Sequence, residues 1–290
     1  MSFFDYDMGP AKYPLPSGEG IRMEGMMKSL ALVKYVPDTN SPFRINSSAT
    51  WVDDANLSFV LNEYDRYALE ALLKLKDDGK VTEVVALTVG PAGASSALRT
   101  CLATGADRAI HVKDDALNGS DPLSVAKVIQ AAIKDEGFSL ILAGLQADDD
   151  NHTQIGSLVA RLMEWPCATA ALGLALQDEN TVRVERELEN NRLQVVDLTL
   201  PAVVTVQTGI NTPRYASLKG IMAAKKKELR TVGLGDLGLD ANEVGASAAR
   251  MKTVGFVPPP KGQGAEILDG SPDEVAQLLL KRIRENTGVI

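Results

Sequence analysis

Glu83-Val84-Val85-Ala86-Leu87-Thr88-Val89 is a short apolar, β-branched run that stops at Gly90-Pro91. Ala94–Thr104 follows and reads as a helix stopped by Gly105, and Ala109-Ile110-His111-Val112 returns to the strand pattern. Strand, helix, strand in this rhythm indicates a parallel sheet flanked by helices. The runs are continuously apolar, as expected of parallel strands covered on both faces.

The same rhythm extends in both directions. Upstream, Leu30–Val36 reads as a buried strand. Leu61–Lys76 reads as a helix, with Leu61, Tyr64, Ala68 and Leu72 at helical spacing and Asn62 as N-cap. Downstream, Pro122–Lys134 is a helix capped by Asp121, Leu140–Ala143 a strand closed by Gly144, and Thr153–Met163 a helix ended near Pro166. The pattern then changes. Val182–Leu188, Leu193–Leu200 and Ala202–Val206, with Glu189-Asn190-Asn191 between the first two, read as a hairpin or meander added to the sheet. Ser217–Lys227 is a helix with a basic end. Residues 233–260 are rich in Gly and Pro and read as an extended arm. Pro272–Asn286 is an amphipathic helix with Val275, Leu278, Leu279 and Ile283 on one face.

The expected fold class is therefore α/β: a parallel sheet flanked by helices, an added antiparallel hairpin and an extended C-terminal arm. Residues 1–27, broken by Gly and Pro, read as a flexible tail without a signal peptide, 28–232 as the α/β domain, and 233–290 as the arm with its helix. An arm of this kind suits wrapping around a partner, and docking on its own domain is equally open.

Composition limits the function. The 290 residues carry 30 Lys+Arg against 38 Asp+Glu, a net charge of −8, which argues against a nucleic-acid binder. With 45% apolar and 23% charged residues the chain has material for a sizeable core. Its two cysteines, Cys101 and Cys167, and two histidines form no metal-ligand or disulfide pattern. The longest largely apolar run, Cys167–Leu176, is far short of the roughly 20 residues that span a bilayer. Gly233-Leu-Gly-Asp-Leu-Gly238 matches G-x-G-x-x-G, but it lies late in the arm, where no dinucleotide fingerprint belongs. There is no P-loop, no nucleophile elbow and no Ser/His/acid set, so no catalytic residue is assigned.

Two segments carry information. Gly144-Leu145-Gln146-Ala147-Asp148-Asp149-Asp150-Asn151-His152-Thr153-Gln154-Ile155-Gly156 follows a buried strand and opens a helix. Ligands of parallel sheets bind at such strand ends, and free N–H groups at a helix start favour phosphate. A nucleotide monophosphate is one reading. Magnesium held by the three aspartates is a second, and a merely capped helix start is a third. The other segment runs from Thr208 through Asn211, Pro213, Arg214, Tyr215, Leu218, Ile221 and Met222 to Lys225, Lys226 and Lys227. It reads as a basic, apolar-tipped docking projection, or equally as a core-facing helix with solvated lysines.

Together these segments resemble the β-subunit family of electron transfer flavoproteins, in the patterns G-x-Q-A-x-D-D-x-x-x-Q-x-G and N-x-P-R-Y-x-[ST]-L-x-x-I-M-x-A-K-K-K. Supporting pieces are Val33-Lys34-x-Val36-Pro37-Asp38, Leu61-Asn62-x-Tyr64-Asp65, Gly90-Pro91, Gly105–Ala109, Trp165-Pro166 and Val184–Glu187, in the family's order. The resemblance implies a Rossmann-like domain that binds AMP structurally. It implies a heterodimer with an α subunit that holds the redox-active FAD. Electrons would pass from acyl-CoA-type dehydrogenases to a membrane quinone oxidoreductase, in the bacterial cytoplasm or the mitochondrial matrix. It places AMP against Leu32, Asn62, Glu63, Tyr64, Asp65, Val89 and Gly144–Ile155. Tyr64 would lie near the flavin. Leu218 would anchor the recognition loop, residues 208–227, in a dehydrogenase, and Glu187 would pair with the mobile flavin domain. Bifurcating relatives hold a second FAD in place of AMP, and their loops read D-G-D-T-A-Q-V-G; here Asp150 stands at the glycine, which favours AMP. A stand-alone nucleotide-sensing or nucleotide-hydrolysing α/β protein is the competing class.

Overall fold

The computed structural model describes residues 27–54, 57–260, 262 and 264–287. The tail expected over 1–27 lies outside them, apart from Met27. The strands are β1 (Lys28–Leu32), β2 (Tyr35–Pro37), β3 (Phe59–Leu61), β4 (Glu83–Val89), β5 (Arg108–Val112), β6 (Phe138–Gly144), β7 (Cys167–Leu176), β8 (Thr181–Leu188), β9 (Arg192–Thr199), β10 (Ala202–Val206) and β11 (Leu229–Val232). The helices are α1 (Glu63–Asp77), α2 (Ser95–Thr104), α3 (Pro122–Ile133), α4 (Ile155–Met163), α5 (Leu218–Ala224), α6 (Leu234–Leu237), α7 (Gly245–Ala248) and α8 (Pro272–Thr287).

Nine strands form one sheet in the order β11-β5-β4-β1-β6-β10-β7-β8-β9. All neighbours are parallel except β7 with β8 and β8 with β9. The expected α/β class with an antiparallel addition is the one observed. Side chains alternate between two cores. On β4, Val84 and Ala86 pack with α1 and α2, while Val85 and Leu87 pack with α3 and α4. Two buried faces explain why these strands lack a polar alternation.

Four local differences have physical causes. The expected strand 30–36 is two strands. Lys34 N–H donates to Asp65 instead of continuing the ladder, and β2 then pairs antiparallel with β3. Residues 202–206 are not part of the meander. All five are buried, and β10 lies parallel between β6 and β7. The run Cys167–Leu176 is a strand, distorted at Ala170 (φ 56°), whose N–H donates to Thr205 Oγ1. β11, unmarked in the sequence, closes the far edge against β5.

The described residues fall into two compact units, one within 1–44 and 53–253, the other within 45–52 and 254–290. The stretch expected as an arm from residue 233 thus divides. Leu234 and Val244 are buried in the first unit, and Asp121 accepts from the N–H groups of Arg250 and Met251. The G-x-G-x-x-G match follows β11 but opens only the four-residue α6. In the second unit, Trp51 meets Phe256 edge to face at 5.5 Å, and α8 buries none of its residues.

Candidate functional site

β1 is flanked by β4 on one side and β6 on the other, so the chain order reverses between β1 and β6. In open α/β sheets the crevice for a ligand lies at the carboxyl ends of the strands beside such a reversal. Leu32 ends β1, Val89 ends β4 and Gly144 ends β6, while Asn62–Asp65 form the start of α1. The fold therefore brings the nominated residues of four elements to one end of the sheet.

Asp65 fastens this end. Its two carboxylate oxygens accept from Lys34 N–H at 2.8 Å and Gly144 N–H at 2.9 Å, joining the chain leaving β1 to the chain leaving β6. Burial pushes its pKa up to about 7, with these amides, Asn62 and the Lys34 charge pulling the other way. Gly144 is required by the contact, because a Cβ there would stand 2.6 Å from Tyr64 Cβ. Gly156 is required for another reason: a Cβ would overlap Thr205 Cγ2 on the neighbouring strand.

Asn62 occupies the expected N-cap position but makes no capping bond. Its buried amide group instead donates to Gln146 O at 2.9 Å and accepts from Asp148 N–H at 3.0 Å. Asp148 takes over near the helix start, accepting from Glu63 N–H at 3.3 Å. Gln146 donates to the Tyr64 hydroxyl at 3.1 Å. Leu145 N–H donates to Val206 O, and Ala147 O accepts from Asn151 N–H.

The three aspartates do not converge. Asp148 faces α1, whereas Asp149 and Asp150 each receive Lys34 Nζ at 2.7 Å. Burial pushes the Lys34 ammonium down, but the two carboxylates outweigh it and hold its pKa above the ordinary lysine value. Burial likewise acts to raise Asp150, yet Lys34 and the His152 N–H hold it below the ordinary carboxylate range. Among the described residues no group of three or more His, Cys, Asp or Glu side chains is placed to hold a metal. The carboxylates do not cap α4 either. Its N-cap is Gln154, without a side-chain capping bond, and α4 starts at Ile155 rather than Thr153. Asn151 and Thr153 adopt left-handed backbone (φ 51° and 55°), unusual for residues with side chains, and this turns the exposed loop 150–154 ahead of the helix. Lys34 was not among the nominated residues. Its only sequence signal was a cation following the first strand, with the run of acids more than a hundred residues further on.

The second segment forms a projection. Tyr215 is 83% and Leu218 78% exposed, with Ile221 and Met222 exposed beside them. α5 is only seven residues long, so the lysines lie beyond it, and Lys225 and Lys226 are exposed. Two nominated docking residues turn inward. Arg214 grips buried Glu70 through Nε at 2.8 Å and Nη2 at 3.1 Å, and also reaches Asp77. Lys227 donates to Leu102 O and Ala106 O at the end of α2. Half-buried Pro213 precedes the tip, and Glu187, on β8, accepts from Gln207 at 3.3 Å.

Residues 50–237 match the electron transfer flavoprotein domain family. The chain belongs to the electron transfer flavoprotein family. Its similarity to family members extends over nearly its whole length. It is 38% identical to the electron transfer flavoprotein subunit beta of Methylophilus methylotrophus over 264 residues, 90% of this chain and 100% of that protein. Against the subunit beta of Bacillus subtilis it is 36% identical, over 91% of this chain and 100% of that protein. Against that of Bos taurus it is 35% identical, over 87% of this chain and 96% of that protein. The family assignment made from the two motifs thus stands. Among the described residues of this family member, no helix is long and apolar enough to cross a membrane.

Proposed function

We propose that the chain is the β subunit of a heterodimeric electron transfer flavoprotein. In this reading it binds AMP at the β1/β6 crevice and presents residues 213–226 to electron-donating dehydrogenases of the acyl-CoA type. Electrons then pass to a membrane quinone oxidoreductase. FAD held by the α subunit would supply the redox chemistry. The residues of this chain position, dock and shield.

The observation that carries the nucleotide part is the disposal of charge. A monophosphate at the start of α4 would be repelled by three free carboxylates. Asp149 and Asp150 are instead committed to Lys34 and Asp148 to the start of α1. The α4 start keeps N–H groups without a side-chain cap, next to the exposed polar side chains of Asn151, His152, Thr153 and Gln154. The residues present therefore fit the phosphate of such a nucleotide. Asp150 is bonded to Lys34 and to the His152 N–H, so residue 150 does not offer the bare backbone that a second FAD would need. For the α subunit, the support is the unpartnered apolar surface of the second unit. Val254, Val257 and Ile267 are 84–100% exposed, and Leu279 and Leu280 of α8 are exposed as well.

The test is to co-express the chain with an α subunit, denature the purified complex and quantify nucleotides against protein. One FAD and one AMP per heterodimer is the expected result. Two FAD and no AMP would replace this reading with electron bifurcation, and FAD alone would remove the nucleotide site.

A further inference from the structure

A cavity of about 250 Å³ lies under the projecting loop, lined by Leu61, Arg66, Leu69, Thr100, Thr104 and Tyr215 among others. Most of its polar wall is already satisfied. Thr100 and Thr104 donate their hydroxyls to carbonyls of their own helix, Ser96 O and Thr100 O. Arg66 is the exception. An acid one turn on is within reach of a helical arginine. Here that acid is Glu70, and Arg214 has taken it with a two-nitrogen grip. No carboxylate of a described residue forms an ion pair with Arg66, whose guanidinium carbon lies over the Tyr215 ring at 5.2 Å from its centroid. A ring face attracts a cation but does not satisfy its N–H donors.

We propose that this cavity is a socket for a carboxylate side chain of the docking protein, with Arg66 as the counter-charge. The proposal rests on the reading of residues 213–226 as the docking surface. A guanidinium matches a carboxylate in planar, two-bond geometry, and the cavity leaves room for the side chain that carries it. The occupant arrives attached to a protein, because Tyr215 on the cavity wall and Leu218, three residues on in the same loop, are exposed apolar side chains that a covering surface would bury. That surface is acidic, since Lys219, Lys225 and Lys226 stand exposed around the apolar tip. The projection then has two features, a Leu218 knob that enters the partner and an Arg66 socket that receives from it.

The experiment uses the assembled α/β complex as acceptor for an acyl-CoA dehydrogenase, with Arg66→Gln, Arg66→Glu and Leu218→Ala variants. Arg66→Gln should raise the KM for the flavoprotein about fivefold. Arg66→Glu should raise it further, with melting temperature and released nucleotides as in the parent. An unchanged KM in Arg66→Gln, beside a raised one in Leu218→Ala, overturns the socket and leaves the docking loop in place. An unchanged KM in Leu218→Ala refutes the docking reading itself and the socket with it. Calorimetric binding of glutarate that is lost in Arg66→Gln, with the KM unmoved, assigns the cavity to a free carboxylate and overturns the proposal.

Discussion

Asp65→Asn isolates the fastening between β1 and β6. The parent carboxyl is raised from 3.8 to about 7 by burial, against the opposing pull of the Lys34 and Gly144 amides, Asn62 and the Lys34 charge. The folded chain therefore holds a proton here that the unfolded chain releases at lower pH. Between those values the folded state binds more protons, so stability falls as pH rises and levels off above the folded value. At about 1.4 kcal/mol per unit, the full window is worth about 4 kcal/mol, of which about 2.5 kcal/mol falls between pH 5 and pH 8. Asparagine has no proton to lose. It presents one NH₂ where two backbone N–H groups expect acceptors, and does so at every pH. Its disadvantage against the parent should shrink by about 2.5 kcal/mol on going from pH 5 to pH 8. With a urea slope of roughly 3 kcal/mol/M, the gap between the two midpoints changes by about 0.8 M. The other titrating groups are common to both proteins and largely cancel in the difference. Parallel midpoint-against-pH curves would refute the argument, since they would mean that Asp65 is ionised as easily in the fold as in water.

Two further substitutions test the scaffold. Arg214→Ala strands buried Glu70 without its partner and should lower stability by about 2 kcal/mol in thermal unfolding. Lysine at 214 should recover only part of that, because a point charge cannot reproduce the fork; full recovery by lysine would show that the fork is immaterial. Gly156→Ala drives a methyl into Thr205 and should cost about 1–3 kcal/mol, read as a lower melting temperature. Adding Thr205→Ser, which removes the opposing methyl, should restore much of the loss, and an unrelieved double variant would place the strain elsewhere.

The sheet was legible because its central strands are short apolar runs bounded by Gly or Pro, as at Val89-Gly90-Pro91 and Ala143-Gly144. The edges were less so. β11, Leu-Arg-Thr-Val, carries polar residues because it has a neighbour on one side only. Val203 and its neighbours followed two alternating strands in sequence, and nothing local reveals that β10 inserts between β6 and β7. At the candidate site, the loop and the helix start were visible as motifs, but the direction of each carboxylate was not. Asp148, Asp149 and Asp150 are chemically alike, and only the position of Lys34, more than a hundred residues earlier, separates them. For the same reason Arg214 read as a surface cation until Glu70 was placed beneath it.

α1 touches both informative segments. Its first turn, with Asn62 before it, holds the 144–148 loop through Asn62, Tyr64 and Asp65. Further along, Tyr67 O accepts from Asn211, and Glu70 and Asp77 receive Arg214. One rigid helix of fifteen residues, roughly 22 Å long, thus works as a caliper between the crevice and the projection. The spacing of the two features is set by helical rise, not by the entropy of the long chain segments between them. A residue inserted directly after Arg66 would turn the second jaw, from Tyr67 to Asp77, by about 100° relative to the first, which makes this point of the helix intolerant of length change.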